Sequence, residues 1–145
     1  MKESEEIIAK LKQHAARAAA HCYAPYSRFA VGAAVLSATG QVYGGCNVEN
    51  ASFGLTQCAE RVALTAAIAD GISPGTLTTL VIYTPGTQAH SPCGACRQVM
   101  HELMAPDSLV ASCCDSDEVR VWHRSEYLPD PFSPGALSHL TNDDP

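Results

Sequence analysis

The stretch TTLVIYTPGTQAHSPCGACRQVM, residues 78–100, contains a strand signal followed by a helix signal. Its first part, Thr78–Thr84, is rich in β-branched and apolar residues, which is typical of a buried strand. Pro85–Ser91 is predicted to be a loop, and Pro92 suits the first position of a helix that we expect to extend to about Met104. A strand, a short loop and a helix in this order indicate an α/β unit.

The sequence on either side of this unit continues the alternation of strands and helices. The pattern predicts a helix, a hairpin and a second helix upstream, and two strands and an irregular, Pro-rich end downstream. These elements cover residues 5–20, 30–36, 41–46, 56–71, 109–113 and 119–122. Such an order implies a three-layer α/β sandwich, with a mixed sheet of about five strands and helices on both faces. We expect a single domain over residues 1–145.

Composition narrows the class of ligand. Hydrophobic residues form 46% of the chain and charged residues 17%, which favours a folded core over disorder. The net charge of −6 and the nine scattered Lys and Arg residues offer no basic patch for nucleic acid. No apolar run is long enough to span a bilayer. We therefore expect a small-molecule partner, and neither nucleic acid nor a membrane.

Seven cysteines are a high and odd number for this length. The start, MKESEEIIAKLK, lacks the apolar core of a signal peptide, so reduced cysteines and a cytoplasmic location are favoured over disulfides. Cys93 and Cys96 lie three residues apart at a predicted helix start, where thiolates are stabilised. By itself, this spacing also fits a redox pair or two core cysteines. The other cysteines show no partner spacing and are expected to be packing residues: Cys22, Cys46, Cys113 and Cys114.

A second motif, Thr56-Gln57-Cys58-Ala59-Glu60-Arg61, starts the preceding predicted helix. Helix N-termini that follow strands of an α/β sheet tend to meet at one edge, so Cys58 can join Cys93 and Cys96 around one zinc ion. Three protein ligands leave the fourth tetrahedral position open, which is the catalytic pattern, and zinc acidifies water held there. Glu60 could take the water's proton and deliver it to the substrate.

Arg61 could offset the negative charge of such a site. Three thiolates leave an excess of negative charge on the ion, which opposes the acidification of water. Arg61 lies three residues after Cys58, and we hypothesise that its guanidinium donates a hydrogen bond to the ligand sulfur. Taken singly, Cys58 is more often a buried helix cysteine, and Glu60 and Arg61 a solvated helix face. Together with Pro92, Cys93 and Cys96 they match the signature of zinc nucleobase deaminases.

Further motifs extend this match. Residues 26–34 are YSRFAVGAA, residues 45–52 are GCNVENAS, residues 92–99 are PCGACRQV, and Leu128-Pro129 precedes Phe132 and Pro134. On these motifs the chain resembles the small, homotetrameric cytidine deaminases over nearly its whole length. The resemblance implies one zinc ion per chain and the hydrolysis of cytidine and deoxycytidine to uridine and deoxyuridine with release of ammonia, as in pyrimidine salvage.

The resemblance also implies roles by position. Glu60 would protonate ring N3 and later the leaving amine, and the backbone N–H of Ala59 would meet the pyrimidine carbonyl oxygen. Phe29 would pack against the base, and Phe132 would close the site from a neighbouring subunit of the homotetramer. An isolated protomer should therefore be poorly active.

Asn47 and Glu49 would hydrogen-bond the ribose 3′-hydroxyl, because an amide and a carboxylate together supply a donor and an acceptor. The Glu49 carboxylate would also repel phosphate, which favours free nucleosides over nucleotides. The chain departs from many relatives at Phe53, where they have Tyr, and at Gln57, which replaces a usually apolar residue. Either change could broaden the range of accepted pyrimidines.

Several other functions use parts of the same pattern. A deaminase of modified or N4-substituted cytosine nucleosides keeps the same machinery, whereas the Asn47–Glu49 pair argues against an aminonucleoside antibiotic as substrate. A nucleic-acid editor would need a basic surface, which this chain lacks. A structural zinc module for protein interaction would need a fourth ligand, and no fourth Cys or His stands at suitable spacing. A redox enzyme using Cys93 and Cys96 would leave Cys58 and Glu60 unexplained. The six histidines form no ligand pair at helical spacing and are expected to have surface roles.

Overall fold

A five-stranded sheet organises the protein, described here from a computed structural model over residues 1–140. The strands are β1 Gly32–Ser37, β2 Val42–Cys46, β3 Leu77–Tyr83, β4 Met104–Cys113 and β5 Val119–His123. The α-helices are α1 Lys2–Ala19, α2 Ala59–Ala69, α3 Gly94–Leu103 and α4 Arg124–Tyr127. Short 3₁₀ segments cover Phe53–Leu55 and Pro134–Leu140. Residues 141–145 of the expected domain lie outside the described range.

The strand order in the sheet is β2-β1-β3-β4-β5. Strands β3 and β4 are parallel, and the other neighbouring pairs are antiparallel. Parallel neighbours need a crossover connection, which α3 supplies between them. The sheet is therefore mixed, as the sequence predicted.

Side chains alternate between the two faces of the central strands and build two cores. Val35, Leu80 and Val110 belong to the core under α2 and α3. Ala34 and Val81, each one residue away along its strand, belong to the core under α1. This period of two is what a sheet covered on both faces requires. Helices thus lie on both faces, and the three-layer α/β sandwich is confirmed.

The start of α2 lies directly against the edge strand β2. A Cβ added to Gly45 would collide with the backbone carbonyl of Ala59 and the backbone nitrogen of Ala63. Gly32 plays the same part on the other face, where a Cβ would collide with the backbone carbonyl of Ala15 in α1. Glycine is required at both positions because the helix backbone approaches too closely for any side chain.

Several predicted boundaries were wrong, for identifiable reasons. Helix α2 begins at Ala59 instead of Thr56, because Gln57 and Val48 exchange backbone hydrogen bonds of 2.9 Å that hold this segment extended. Pro92 precedes α3 instead of occupying its first position, and Cys93 is the N-cap. The end of the chain, predicted to be irregular, contains α4. Within the described residues, no helix has both the length and the apolar composition needed to cross a bilayer.

Candidate active site

Three cysteine side chains converge where α2 and α3 begin. Cys58 and Cys93 are the N-cap residues of these two helices, and Cys96 lies in the first turn of α3. Their Sγ atoms all lie within 4.8 Å of one another, and those of Cys58 and Cys93 are 3.9 Å apart. Thiolates bound tetrahedrally at about 2.3 Å from zinc would have sulfurs about 3.8 Å apart. The donor atoms and their spacing therefore fit a zinc ion.

The surroundings of Cys58 favour its thiolate. The Arg61 guanidinium donates a hydrogen bond of 3.2 Å from Nη2 to Cys58 Sγ, the contact that the sequence suggested. Hydrogen bonds from the Cys96 thiol and from Arg61 lower the pKa of Cys58 to about 5. The same contact with Cys58, together with burial, raises the pKa of Cys96. A metal ligand must be deprotonated, so Cys58 is prepared for metal binding.

Glu60 is a buried carboxyl group beside this cluster. Its side chain is only 5% exposed, although it belongs to the first turn of α2. Burial, with a smaller contribution from the charge of Cys58, raises the pKa of Glu60. A carboxyl group with a raised pKa is suited to moving protons near neutral pH.

A cavity of about 430 Å³ opens above these groups. Its walls bring together most of the predicted site residues, namely Phe29, Asn47, Glu49, Cys58, Ala59, Glu60 and Cys93. Cys96 is buried within α3, and Arg61 contacts Cys58 from outside the cavity. Phe132 is not part of the cavity wall; it is 61% exposed, and its carbonyl oxygen accepts a hydrogen bond from Gln98.

Comparison with known proteins agrees with this geometry. The family model for the cytidine and deoxycytidylate deaminase zinc-binding region matches residues 5–112. The chain belongs to the cytidine deaminase family. The cytidine deaminase of Sporosarcina psychrophila is 40% identical over 93% of this chain and 95% of its own length. That of Mycobacterium tuberculosis H37Rv is 43% identical over 84% and 86%.

Solved structures support the same assignment. The crystal structure of cytidine deaminase from Burkholderia pseudomallei is 45% identical, with a TM-score of 0.82 over 86% of this chain and 98% of its own. The cytidine deaminase from Mycobacterium tuberculosis is 41% identical, with a TM-score of 0.74 over 86% and 96%. The chain is thus a zinc-dependent hydrolase of this family, and the cysteine cluster suits its zinc ion.

In this enzyme, Asn47 and Glu49 also shape the cavity wall, a role that the sequence did not reveal. Asn47 Oδ1 accepts a hydrogen bond of 2.9 Å from the Val31 N–H, and its Nδ2 donates one of 2.7 Å to the Phe29 carbonyl. Glu49 Oε1 accepts hydrogen bonds from the N–H groups of Tyr26 and Ser27, at 2.9 and 3.1 Å. Hydrogen bonding from Ser27 lowers the pKa of Glu49, so this carboxylate stays charged.

Sequence reasoning missed several wall residues, which are Ser27, Val31, Thr56, Ile82, Thr84, His90 and Ser91. His90 is the most informative of them, because only a surface role was expected for it. It is exposed, but it lies on the cavity wall with its ring centroid 5.5 Å from that of Phe29. Its position just before the Ser91-Pro92-Cys93 segment was the one available signal.

The remaining four cysteines are not part of the thiol cluster. All seven cysteines are free, Cys113 and Cys114 are buried as expected, and Cys22 and Cys46 are half-buried. Gln57 is exposed and lies outside the cavity wall.

Phe53 lines a second cavity of about 260 Å³ next to the first. Its ring is 74% exposed and packs edge-on against Tyr26, with centroids 5.6 Å apart. Ser27, Glu49 and Thr56 line both cavities. The space around Phe53 therefore adjoins the main site.

Proposed function

We propose that this protein hydrolyses cytidine and deoxycytidine to uridine and deoxyuridine, releasing ammonia. We also propose that residues 1–145 form a single domain. The observation that carries the proposal is a buried carboxyl group, Glu60, beside three convergent thiols in a cavity with a polar and aromatic entrance. The relatives named cytidine deaminase support the choice of substrate.

The proposed chemistry depends on Glu60. Zinc, when held by Cys58, Cys93 and Cys96, would acidify the attacking water. Glu60 takes a proton from this water and delivers it to ring N3, which makes C4 more electrophilic. It then transfers the second proton to the leaving amine, so that water and cytidine yield uridine and ammonia. Burial of Glu60 raises the pKa of its carboxyl group, which suits it to accepting and returning the proton.

The other cavity residues would bind and orient the nucleoside. The Ala59 N–H donates to the pyrimidine carbonyl oxygen, and the half-exposed Phe29 ring packs against the base. Asn47 and Glu49 bond the ribose 3′-hydroxyl with the amide hydrogen and the carboxylate oxygen left over from their loop contacts. The low pKa of Glu49 keeps a negative charge here, which disfavours a nucleotide phosphate.

Arg61 is proposed to tune the metal site instead of touching substrate. Its guanidinium already donates to Cys58 Sγ, so it offsets part of the charge of three thiolates. This hydrogen bond also holds the sulfur in place.

We further propose that the active form is a homotetramer, in which Phe132 closes the site of a neighbouring subunit. The exposed Phe132 ring, which lies outside its own chain's cavity, supports this arrangement. Mixing and refolding two variants together, Glu60→Gln and Phe132→Ala, tests it. Recovery of activity above either variant alone is expected, because mixed tetramers pair an intact Glu60 with an intact Phe132. No recovery in tetramers of mixed composition would contradict the shared site.

A cytoplasmic role in pyrimidine salvage completes the proposal. The seven free cysteines suit a reducing compartment. Nucleosides without phosphate are the compounds that salvage handles.

A modified cytosine nucleoside is the second candidate substrate. The cavity lined by Tyr26 and Phe53 shares Glu49 with the main site, so it offers room for an additional apolar group on the ribose side of such a nucleoside. A substrate panel with and without such groups compares the two candidates directly.

The decisive test is ultraviolet-monitored deamination of cytidine and deoxycytidine by zinc-loaded protein, with Glu60→Gln as the matched variant. We expect turnover by the wild type and a loss of about 10²- to 10⁴-fold in kcat for the variant, with equal zinc content. A wild type that binds zinc but leaves both nucleosides unchanged would refute the proposed substrates.

A further inference from the structure

His90 and Phe29 form an aromatic pair in the wall of the main cavity. Both residues line this cavity, their ring centroids are 5.5 Å apart, and their planes cross at 73°. This edge-to-face geometry is favourable for aromatic rings. Phe29 belongs to the loop between α1 and β1, whereas His90 belongs to the loop between β3 and α3. The pair therefore joins two loops that are distant in the chain.

The hydrogen bonds of Phe29 hold its backbone and do not involve its ring. The side chain is 46% exposed. Its backbone is well held, since the N–H donates to Ser27 Oγ and the carbonyl accepts from Asn47 Nδ2. These bonds determine where the ring is attached but leave its rotamer open. The His90 ring is the aromatic side chain that contacts the Phe29 ring.

The His90 side chain is free to perform this role. Within residues 1–140, the imidazole makes no hydrogen bond to another side chain or to the backbone, and its one ring contact is with Phe29. Its backbone leads into Ser91, Pro92 and the N-cap residue Cys93. The imidazole therefore belongs to the segment that leads into the thiol cluster, and it lines the cavity.

We propose that His90 is a positioning residue that holds the Phe29 ring in the orientation that receives the pyrimidine. The inference rests on the proposed function, in which Phe29 packs against the base. A base that must first select one of several Phe29 rotamers binds more weakly. The ring of His90 therefore contributes to KM, whereas the proton transfers by Glu60 and hence kcat do not depend on it.

Replacement of the ring tests the proposal in the zinc-loaded protein. His90→Ala should raise KM for cytidine about two- to tenfold, the effect of losing one aromatic pair, with kcat and zinc content unchanged. His90→Phe keeps a ring at this position and should restore a low KM. In a Phe29→Leu background, His90→Ala should add little further, because the partner ring is already absent. An unchanged KM in His90→Ala, a His90→Phe variant as impaired as His90→Ala, or fully additive effects would overturn it.

A second measurement separates this inference from the choice of substrate. Side-chain NMR couplings of Phe29 in substrate-free protein should show one rotamer in the wild type and in His90→Phe, and averaging in His90→Ala. This readout does not require cytidine turnover. Inactivity of the wild type toward cytidine would count against the proposed function only, whereas identical Phe29 couplings in all three proteins would refute the role of His90.

Discussion

The two walls of the main cavity are built in different ways. The chemical wall consists of the first turns of α2 and α3, where Ala59, Glu60 and Cys96 are buried. The recognition wall consists of the loops before β1, after β2 and after β3, which contribute the half-exposed Phe29, Glu49 and His90. Packing against the sheet holds the first wall, whereas hydrogen bonds from side chains to the backbone hold the second.

This difference follows from what each wall must do. Metal ligands and a proton-transfer group need positions fixed to a fraction of an ångström, which helices packed on a sheet provide. Recognition of a flexible nucleoside needs adaptable groups, which loops provide. We therefore expect substitutions in the chemical wall to act mainly on kcat and metal binding, and those in the recognition wall mainly on KM and selectivity.

The largest expected effect tests whether the chemical wall depends on the metal. Cys93→Ser removes one of the three proposed zinc ligands, so we expect loss of bound zinc and activity below detection, measured by metal analysis and cytidine turnover. The matched control is Cys22→Ser, because Cys22 is half-buried and outside the thiol cluster. Full activity of a zinc-free Cys93→Ser protein would contradict the role given to the chemical wall, since the reaction would then proceed without the ion.

A smaller effect is expected for Arg61, which contacts the chemical wall from outside the cavity. Arg61→Gln removes the guanidinium that bonds Cys58 Sγ, and we expect a fall of about 10- to 100-fold in zinc affinity or kcat. Arg61→Lys keeps the charge but not the planar donor, so it should recover only part of the loss. A chelator titration gives the affinity, and the kinetics give kcat. Wild-type values for Arg61→Gln would show that the thiol cluster needs no compensating charge.

The recognition wall should respond differently. Glu49→Gln removes the charge that accepts hydrogen bonds from the backbone of Tyr26 and Ser27, so we expect KM for cytidine to rise about tenfold. The ratio of cytidine to cytidine monophosphate turnover should fall, because repulsion of phosphate is lost. A kcat effect with unchanged KM and unchanged selectivity would place Glu49 with the chemical wall instead.

The two walls were also unequally predictable from sequence. The chemical wall is encoded by short spacings around Cys58, Glu60 and Cys93. The rule that helix N-termini following strands meet at one edge of an α/β sheet was enough to predict that the two helix starts lie together. The recognition wall depends on contacts between distant loops, such as Asn47 with the backbone of Phe29, and His90 with its ring. No local pattern encodes those contacts.

Tertiary contacts also overrode local signals elsewhere in the fold. The backbone pairing of Gln57 with Val48 delays the start of α2, which periodicity alone placed earlier. The predicted irregular end contains α4 because Glu126 caps the His123 N–H across one turn. The sheet and its two covered faces were predictable because alternation of buried residues is a local property of each strand.

The smallest expected effect asks how strictly the sheet positions the chemical wall. Gly45→Ala places a methyl group against the backbone of Ala59 and Ala63, so α2 must shift away from β2. Gly32→Ala makes a closer collision of the same kind, with the Ala15 carbonyl of α1 on the opposite face, and is the control. Overpacking of this kind destabilises by about 1–3 kcal/mol, measurable as a lower midpoint in urea for both variants. Only Gly45→Ala should also lower kcat by a few-fold at temperatures where both variants are folded, because Ala59 and Glu60 move with their helix. Equal kcat in the two variants would mean that the chemical wall tolerates a shift of α2, and that its precision comes from the metal ligands instead of the sheet.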